Sequence, residues 1–136
     1  MASTPSGIID QMMNKDRFSQ WLEIERKEEA EGYCKLKMVI REDMCNGLGI
    51  AHGGICYSFA DSALAFAANS YGRHAVSIDT SISHFKALKP GAEIFAATRV
   101  LSRSGRLAHF DVSITSSDNT PVAYFKGTVF FKEDTW

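Results

Sequence analysis

The stretch "NGLGIAHGGICYSFADSALAFAANSYG", residues 46–72, decides the fold. From residue 53 onward it reads as a helix over 53–71 with almost no polar face, stopped by Gly72. A helix that is apolar nearly all round has to be enclosed. Asp61 nevertheless sits in its middle, flanked by Phe59, Ala60, Ala63, Leu64, Ala65 and Phe66. Burying an unpaired carboxylate costs several kcal/mol unless hydrogen bonds or a pKa shift offset it. Asp61 is therefore either a structural carboxylate, paired to a hydroxyl or reaching the surface, or a nucleophile or general base in a dry pocket. Gly53 and Gly54 open the helix. The first N–H groups of a helix lack internal partners and sit at the positive end of its dipole, and glycine permits close approach. Together they can receive an anion or a developing oxyanion. The competing reading is a tight turn with positive φ, with His52 serving as a cap.

Working outward, "GIIDQMMNKDRF" over residues 7–18 predicts a short amphipathic helix. Residues 20–29 are expected to form a strand, with "EAEG" as its turn. Cys34, Leu36, Met38 and Ile40 alternate with Lys35 and Lys37 in a second strand. After the long helix only strand signals follow. Val76, Ile78 and Ile82 read as one apolar face of "AVSIDTSISHF", with Ser77 pointing away from it. "LKPG" is a turn, "SRSG" joins strands over 93–102 and 107–116, and residues 121–132 close the set. Connections this short imply an antiparallel sheet. The expected class is α+β: a curled sheet of about six strands around a long central helix, whose remaining side is covered by a second subunit.

The 136 residues fit one domain, 1–136, with residues 1–6 as a flexible tail. A net charge of −1 offers no basic stripe for nucleic acid. No apolar run is long enough to predict a membrane span, and "MASTPSG" lacks the basic and apolar regions of a signal peptide. Cys34, Cys45 and Cys56 form no C-x-x-C pair and read as reduced thiols of a cytoplasmic protein. The histidines, 52, 74, 84 and 109, show no metal-ligand spacing, so no metal is expected.

Could Asp61 serve the glycine site of its own helix? Nine residues separate it from His52. That is about 13 Å along the axis, with the two side chains on nearly opposite faces. Only two copies related by a two-fold axis can bring one chain's Asp61 to the other's helix start, which gives two equal sites.

The pattern Asn46-x6-Gly53-x7-Asp61, with "HGG" at the helix start and "VSIDTSISHFKALKPG" downstream, resembles the phenylacetyl-CoA thioesterase (PaaI-like) group of the hot-dog fold, from about residue 33 to 131. The resemblance implies hydrolysis of acyl-CoA thioesters in the cytoplasm, with arylacetyl- or hydroxyphenylacetyl-CoA as substrate, medium-chain acyl-CoA as a second option, and phenylacetate degradation as the setting. It implies that the Gly53 N–H binds the thioester oxygen and that Asn46 orients water or the acyl group. The partner's Asp61 would attack or act as base, His52 would hold the thioester end, and Ser77 would assist. It also implies a homotetramer built as a dimer of dimers and no cofactor, coenzyme A being part of the substrate. Its phosphates would fall to Lys86, Lys89, Arg103 and Arg106, with Gly54 beside the thioester. Phe59, with Phe66, Phe85 and Phe110, would line the acyl pocket or simply fill the core. Two other readings stay open: a hydratase or dehydratase on the same fold using His52 with an acid, and a non-catalytic acyl-CoA binder.

Overall fold

A computed structural model of the chain describes residues 3–136. Residues 1 and 2 of the expected tail lie outside the described residues, and Pro5 and Ser6 already belong to helix α1, Pro5–Lys15. Thr4 caps α1 by accepting from the Gly7 N–H at 3.0 Å, and Pro5 takes a first-turn position where its missing N–H costs nothing. The expected helix over 7–18 is two helices, and the expected strand over 20–29 begins only at Glu25. The reason is Asp16. It ends α1 and caps α2, Arg17–Trp21, by accepting from the Ser19 N–H at 2.9 Å. α2 leaves Phe18 and Trp21 exposed, and the next residue, Leu22, is buried.

Strands β1, Glu25–Ala30, and β2, Tyr33–Val39, form a hairpin. A 3₁₀ turn, Glu42–Met44, and a loop lead to helix α3, Gly53–Asn69. Then come β3, Arg73–His84, β4, Glu93–Ser104, β5, Leu107–Ser116, and β6, Pro121–Thr135. The six strands form one antiparallel sheet in the order β1-β2-β4-β5-β6-β3. The strand that follows α3 thus pairs with the last strand, and the sheet ends on β3. α3 packs against β2 through β6, which is the wrapped helix of the hot-dog fold.

The core forms where the inner faces of the strands meet α3. Phe59 and Phe66 of the helix are fully buried, as are Leu36, Ile94, Phe110, Ile114 and Phe125 of the sheet. One stripe of α3 is only half-buried: Tyr57, Ser58, Asp61 and Ala65. Tyr57, Asp61 and Ala65 recur at i+4 on one face.

Strand β3 corrects the sequence reading. Val76 and Ile78 do not face the core; they are 47% and 58% exposed. Ser77 pairs with the buried Val129, Thr80 with Gly127, Ile82 with the buried Phe125 and His84 with the buried Ala123. Partners across a ladder share a face, so these four β3 residues lie on the sheet's inner side, Thr80 and Ile82 half-buried and Ser77 and His84 still exposed. A bulge between Ser77 and Asp79 makes this possible. An extra residue shifts the alternation by one, and Ser77 and His84, seven apart, reach the same side.

Gly127 of β6 lets α3 lie close to the sheet. A Cβ there would fall 2.6 Å from Leu64 Cδ2 and 3.3 Å from Phe125 Cε1, both in the packed core. Gly127→Ala is expected to destabilise the fold by about 1–3 kcal/mol, read as a lower urea midpoint at an unchanged slope.

Candidate active site

The loop before α3 is pinned at several points. Asn46 N–H donates to Ile50 O at 2.8 Å, His52 N–H to Met44 O at 2.9 Å, and Ala51 N–H to Leu88 O at 2.8 Å. The Asn46 side-chain oxygen accepts from the Leu48 N–H at 2.9 Å, which fixes the amide plane and leaves its NH2 group as the donor available to a ligand. Neither Gly53 nor Gly54 has a positive φ, so the tight-turn reading of the two glycines does not hold.

The cap half of that reading does hold. His52 is the N-cap of α3, and its Nδ1 accepts from the Gly54 N–H at 2.9 Å. An accepting Nδ1 carries no proton, so the ring's N–H lies on Nε2. A Cβ on Gly54 would come 3.2 Å from that Nδ1, which accounts for glycine there. Ile55 N–H turns back to His52 O at 2.9 Å. The Gly53 N–H donates to no protein acceptor among the described residues. The helix start thus holds one unspent donor at its positive end. Asn46, His52, Gly53, Cys56, His84 and Lys86 border a concavity of about 360 Å³ in front of it, with Phe85, 59% exposed, at its side.

Asp61 lies elsewhere. With Ala65, Ala75, Ser77 and Val129 it borders a second concavity, of about 220 Å³. Ser77 is therefore beside Asp61 in the same chain, brought there by the β3 bulge. Among the described residues Asp61 has neither a hydrogen-bond partner nor an ion pair. Burial holds its carboxyl above the usual carboxylate range, and the negative charge of Asp16 adds to the shift. Asp16 is fixed close by: its Oδ2 accepts from Ser19 Oγ at 2.6 Å, and Ser19 Oγ lies 2.8 Å from Ser62 Oγ, next to Asp61 on α3.

Among the described residues none borders both concavities. One chain brings together Asn46, His52, Gly53 and Lys86, and separately Asp61 and Ser77. The remaining basic residues lie apart. Lys89 is exposed beyond Leu88 and borders neither concavity. The Arg103 guanidinium lies 3.8 Å from the centre of the Tyr71 ring, past the C-terminal end of α3. Arg106 pairs with Glu133 at 2.6 Å. Phe59, Phe66 and Phe110 are fully buried core residues and border neither concavity. Two residues at the helix start carried no role in the sequence reading. Cys56 borders the first concavity, but burial pushes its thiol up to about 11, which keeps it protonated and poorly nucleophilic. His84 faces Gly53, and only the bulge, which no local pattern announces, turns it inward.

The capping geometry sets a stability test. His52→Ala removes the acceptor for the Gly54 N–H and is expected to cost about 1 kcal/mol, whereas His52→Asn, another good cap, keeps most of it. Thermal unfolding of the two variants against the parent checks this.

Comparison with known proteins agrees with the fold. A family model described as the thioesterase superfamily matches residues 48–123. The acyl-coenzyme A thioesterase PaaI of Escherichia coli K12 is 29% identical over 116 residues, covering 85% of this chain and 83% of the relative. The solved structure of the E. coli PaaI protein from the phenylacetic acid degradation operon superposes with a TM-score of 0.93 at 27% identity, over 96% of this chain and 95% of that one. A mutant of the phenylacetic acid degradation protein PaaI of Thermus thermophilus gives a TM-score of 0.81 at 35% identity, over 85% and 98%. The chain belongs to the thioesterase superfamily, as a PaaI-like enzyme of the hot-dog fold.

Proposed function

We propose that this chain hydrolyses acyl-CoA thioesters at sites shared by two copies, each made of one chain's helix start and the other's Asp61. One observation carries the reading: a Gly53 amide donor and a half-buried Asp61 carboxylate, both without partners among the described residues, lie in separate concavities of the same chain. The open edge of the sheet supports the pairing. β3 is the last strand, and its exposed Val76 and Ile78 suit contact with a second copy. A further pairing into a dimer of dimers follows the family.

In this reading the thioester oxygen lies on the Gly53 N–H. The partner's Asp61 attacks the carbonyl carbon, or takes a proton from a water that does so. The C=O electron pair moves onto oxygen, where the amide stabilises it by about 3 kcal/mol. Collapse of the intermediate breaks the C–S bond and releases coenzyme A as thiolate. Attack by Asp61 leaves an acyl-enzyme anhydride that water then cleaves; attack by water gives the free acid at once. The Asn46 NH2 orients the water or acyl group, His52 Nε2–H holds the thioester end, and the Ser77 hydroxyl assists beside Asp61. Gly54 keeps backbone close to the ligand, and Lys86 meets the phosphates, with Lys89, Arg103 and Arg106 as the outer basic residues. No metal or cofactor takes part in these steps. The concavity beside Asp61, about 220 Å³ and lined by Ala65, Ala75 and Val129, suits a compact acyl group such as arylacetyl.

Thiol release from a panel of aryl, short and medium acyl-CoAs tests the activity, and Asp61→Ala is expected to lower it by at least about 10²-fold. Asp61→Ala and Asn46→Ala chains, each inactive alone, should regain about a quarter of the parent rate when refolded together, since half the pairs then carry one intact site in two. Absence of any recovery would place both residues in one chain's site. Asp16→Asn keeps the α2 cap but removes a charge that raises the Asp61 pKa. The acid limb of kcat/KM, where the carboxylate becomes protonated, should therefore move to lower pH.

A further inference from the structure

We propose that His84 is a catalytic residue of the thioester site, its Nε2–H acting with the Gly53 N–H as a second donor to the carbonyl oxygen. The inference rests on the thioesterase reading and extends it to a side chain that the motif Asn46, Gly53 and Asp61 does not include.

The geometry begins at Gly53. A Cβ there would lie 3.7 Å from His84 Nε2 and 4.0 Å from its Cε1. The nitrogen edge of the ring therefore faces the glycine across a gap that the missing side chain leaves open. Given backbone bond lengths, Nε2 lies within about 6 Å of the Gly53 nitrogen. Two hydrogen bonds of ordinary length, about 2.9 Å each, span up to about 5.8 Å, so one oxygen lying between the two donors can meet both when their separation falls below that bound. The ordinary van der Waals distance matters too. An alanine at 53 would fit without a clash, so folding alone does not demand glycine there.

His84 is the histidine that turns ring nitrogens without a hydrogen bond, among the described residues, toward the helix start; His74 also lacks such bonds but stacks elsewhere. His52 spends Nδ1 on the Gly54 N–H. His109 Nδ1 is hydrogen-bonded to Thr128 Oγ1 at 2.9 Å. His74 stacks on Trp136, with ring centres 4.2 Å apart. Among the described residues neither nitrogen of His84 has a protein partner, and no acidic side chain borders its concavity. A free donor beside a free amide, with no carboxylate to compete for it, is an arrangement that an incoming acceptor can use at little cost.

The backbone that carries the ring is held in place, while the side chain itself is exposed. His84 is the last residue of β3, paired with the buried Ala123. The next two residues, Phe85 and Lys86, both donate their N–H to Val122 O, at 2.8 and 3.3 Å. Leu88 O then accepts from Ala51 N–H, tying this segment to the loop that starts α3. Strand end and helix start thus form one stitched unit, which fixes the Gly53 amide relative to the His84 backbone and limits where the ring can go, and stabilisation of a developing charge needs such fixed donors.

In the addition step the oxygen gains the carbonyl electron pair and accepts from both N–H groups. The proton stays on Nε2 throughout, so no proton transfer is assigned to His84. Its effect belongs to the transition state, where the oxygen is most negative, and should appear in kcat and not in KM.

The test compares the parent with His84→Phe, which keeps ring size without a donor, and His84→Gln, which keeps a donor at similar reach. Steady-state thiol release on the best acyl-CoA is measured for each, with circular dichroism and thermal melting as folding controls. The expected result for His84→Phe is a kcat lower by about 10²–10³-fold with KM within a few-fold of the parent, and recovery of most of the loss in His84→Gln. Unchanged kcat in a folded His84→Phe overturns the proposal, and so does a rise in KM alone, which would make His84 a coenzyme-binding residue. Equal losses in both variants overturn the donor role. Should His84→Phe fail to fold, the parent and His84→Gln decide: a kcat in His84→Gln as low as about one-hundredth of the parent's overturns it. A parent inactive on every acyl-CoA strikes the thioesterase reading itself and takes this role with it, whereas loss confined to the variants bears on His84 alone.

Discussion

The enclosure of α3 governs the rest of the molecule. Its seventeen residues carry almost no polar surface, so the helix is stable only where a sheet wraps it. The packing removes large side chains such as Phe59 and Phe66 from water, each such burial contributing about 1.5–3 kcal/mol. Gly127 lets the sheet close on Leu64. A single twisted sheet cannot cover a helix on all sides, however, and the uncovered stripe is where Asp61 lies. A carboxylate with no partner among the described residues thus sits where the fold leaves the helix open. There it keeps access to a substrate while the surrounding apolar packing holds its pKa up.

The start of α3 shows a complementary division of labour. Every helix begins with N–H groups that need acceptors. Here His52 satisfies the Gly54 N–H and the first turn satisfies Ile55, which leaves the Gly53 N–H without a partner among the described residues. Capping and ligand binding are not rival explanations of "HGG", because different amides do each. The same local economy explains the two glycines separately: Gly54 makes room for the capping ring, and Gly53 leaves space toward His84.

Burial also sorts the possible nucleophiles. Cys56 stands closer to the free amide than Asp61 does along the chain, yet an apolar setting keeps a thiol protonated, and its pKa rises to about 11. The same setting raises the Asp61 carboxyl from a far lower starting point, so a raised carboxyl can still ionise where the thiol cannot. An oxygen nucleophile or base is what this environment permits, in keeping with the thioester hydrolysis proposed for Asp61.

Much of this was legible in the residues themselves. The long helix, the alternation of β2 and the β4–β5 hairpin follow from local periodicity and turn chemistry, which act within a few residues and need no knowledge of the rest of the chain. The spacing of Asn46, Gly53 and Asp61 was enough to argue that one helix cannot present both ends of the chemistry to one small substrate, and the two separate concavities agree with that geometry. Asp16 divided the N-terminal segment into two helices and displaced the expected first strand, a local cap that the apolar spacing over 7–18 conceals. Tertiary structure alone decided two further things. The pairing of β3 with β6 joined segments distant in the chain. The bulge after Ser77 turned Val76 and Ile78 outward and brought Ser77 and His84 to the inner face. A bulge costs little locally and is chosen by how a strand must fit its distant partner and the helix beneath, so the information that sets it is spread across the fold and is absent from the strand's own sequence.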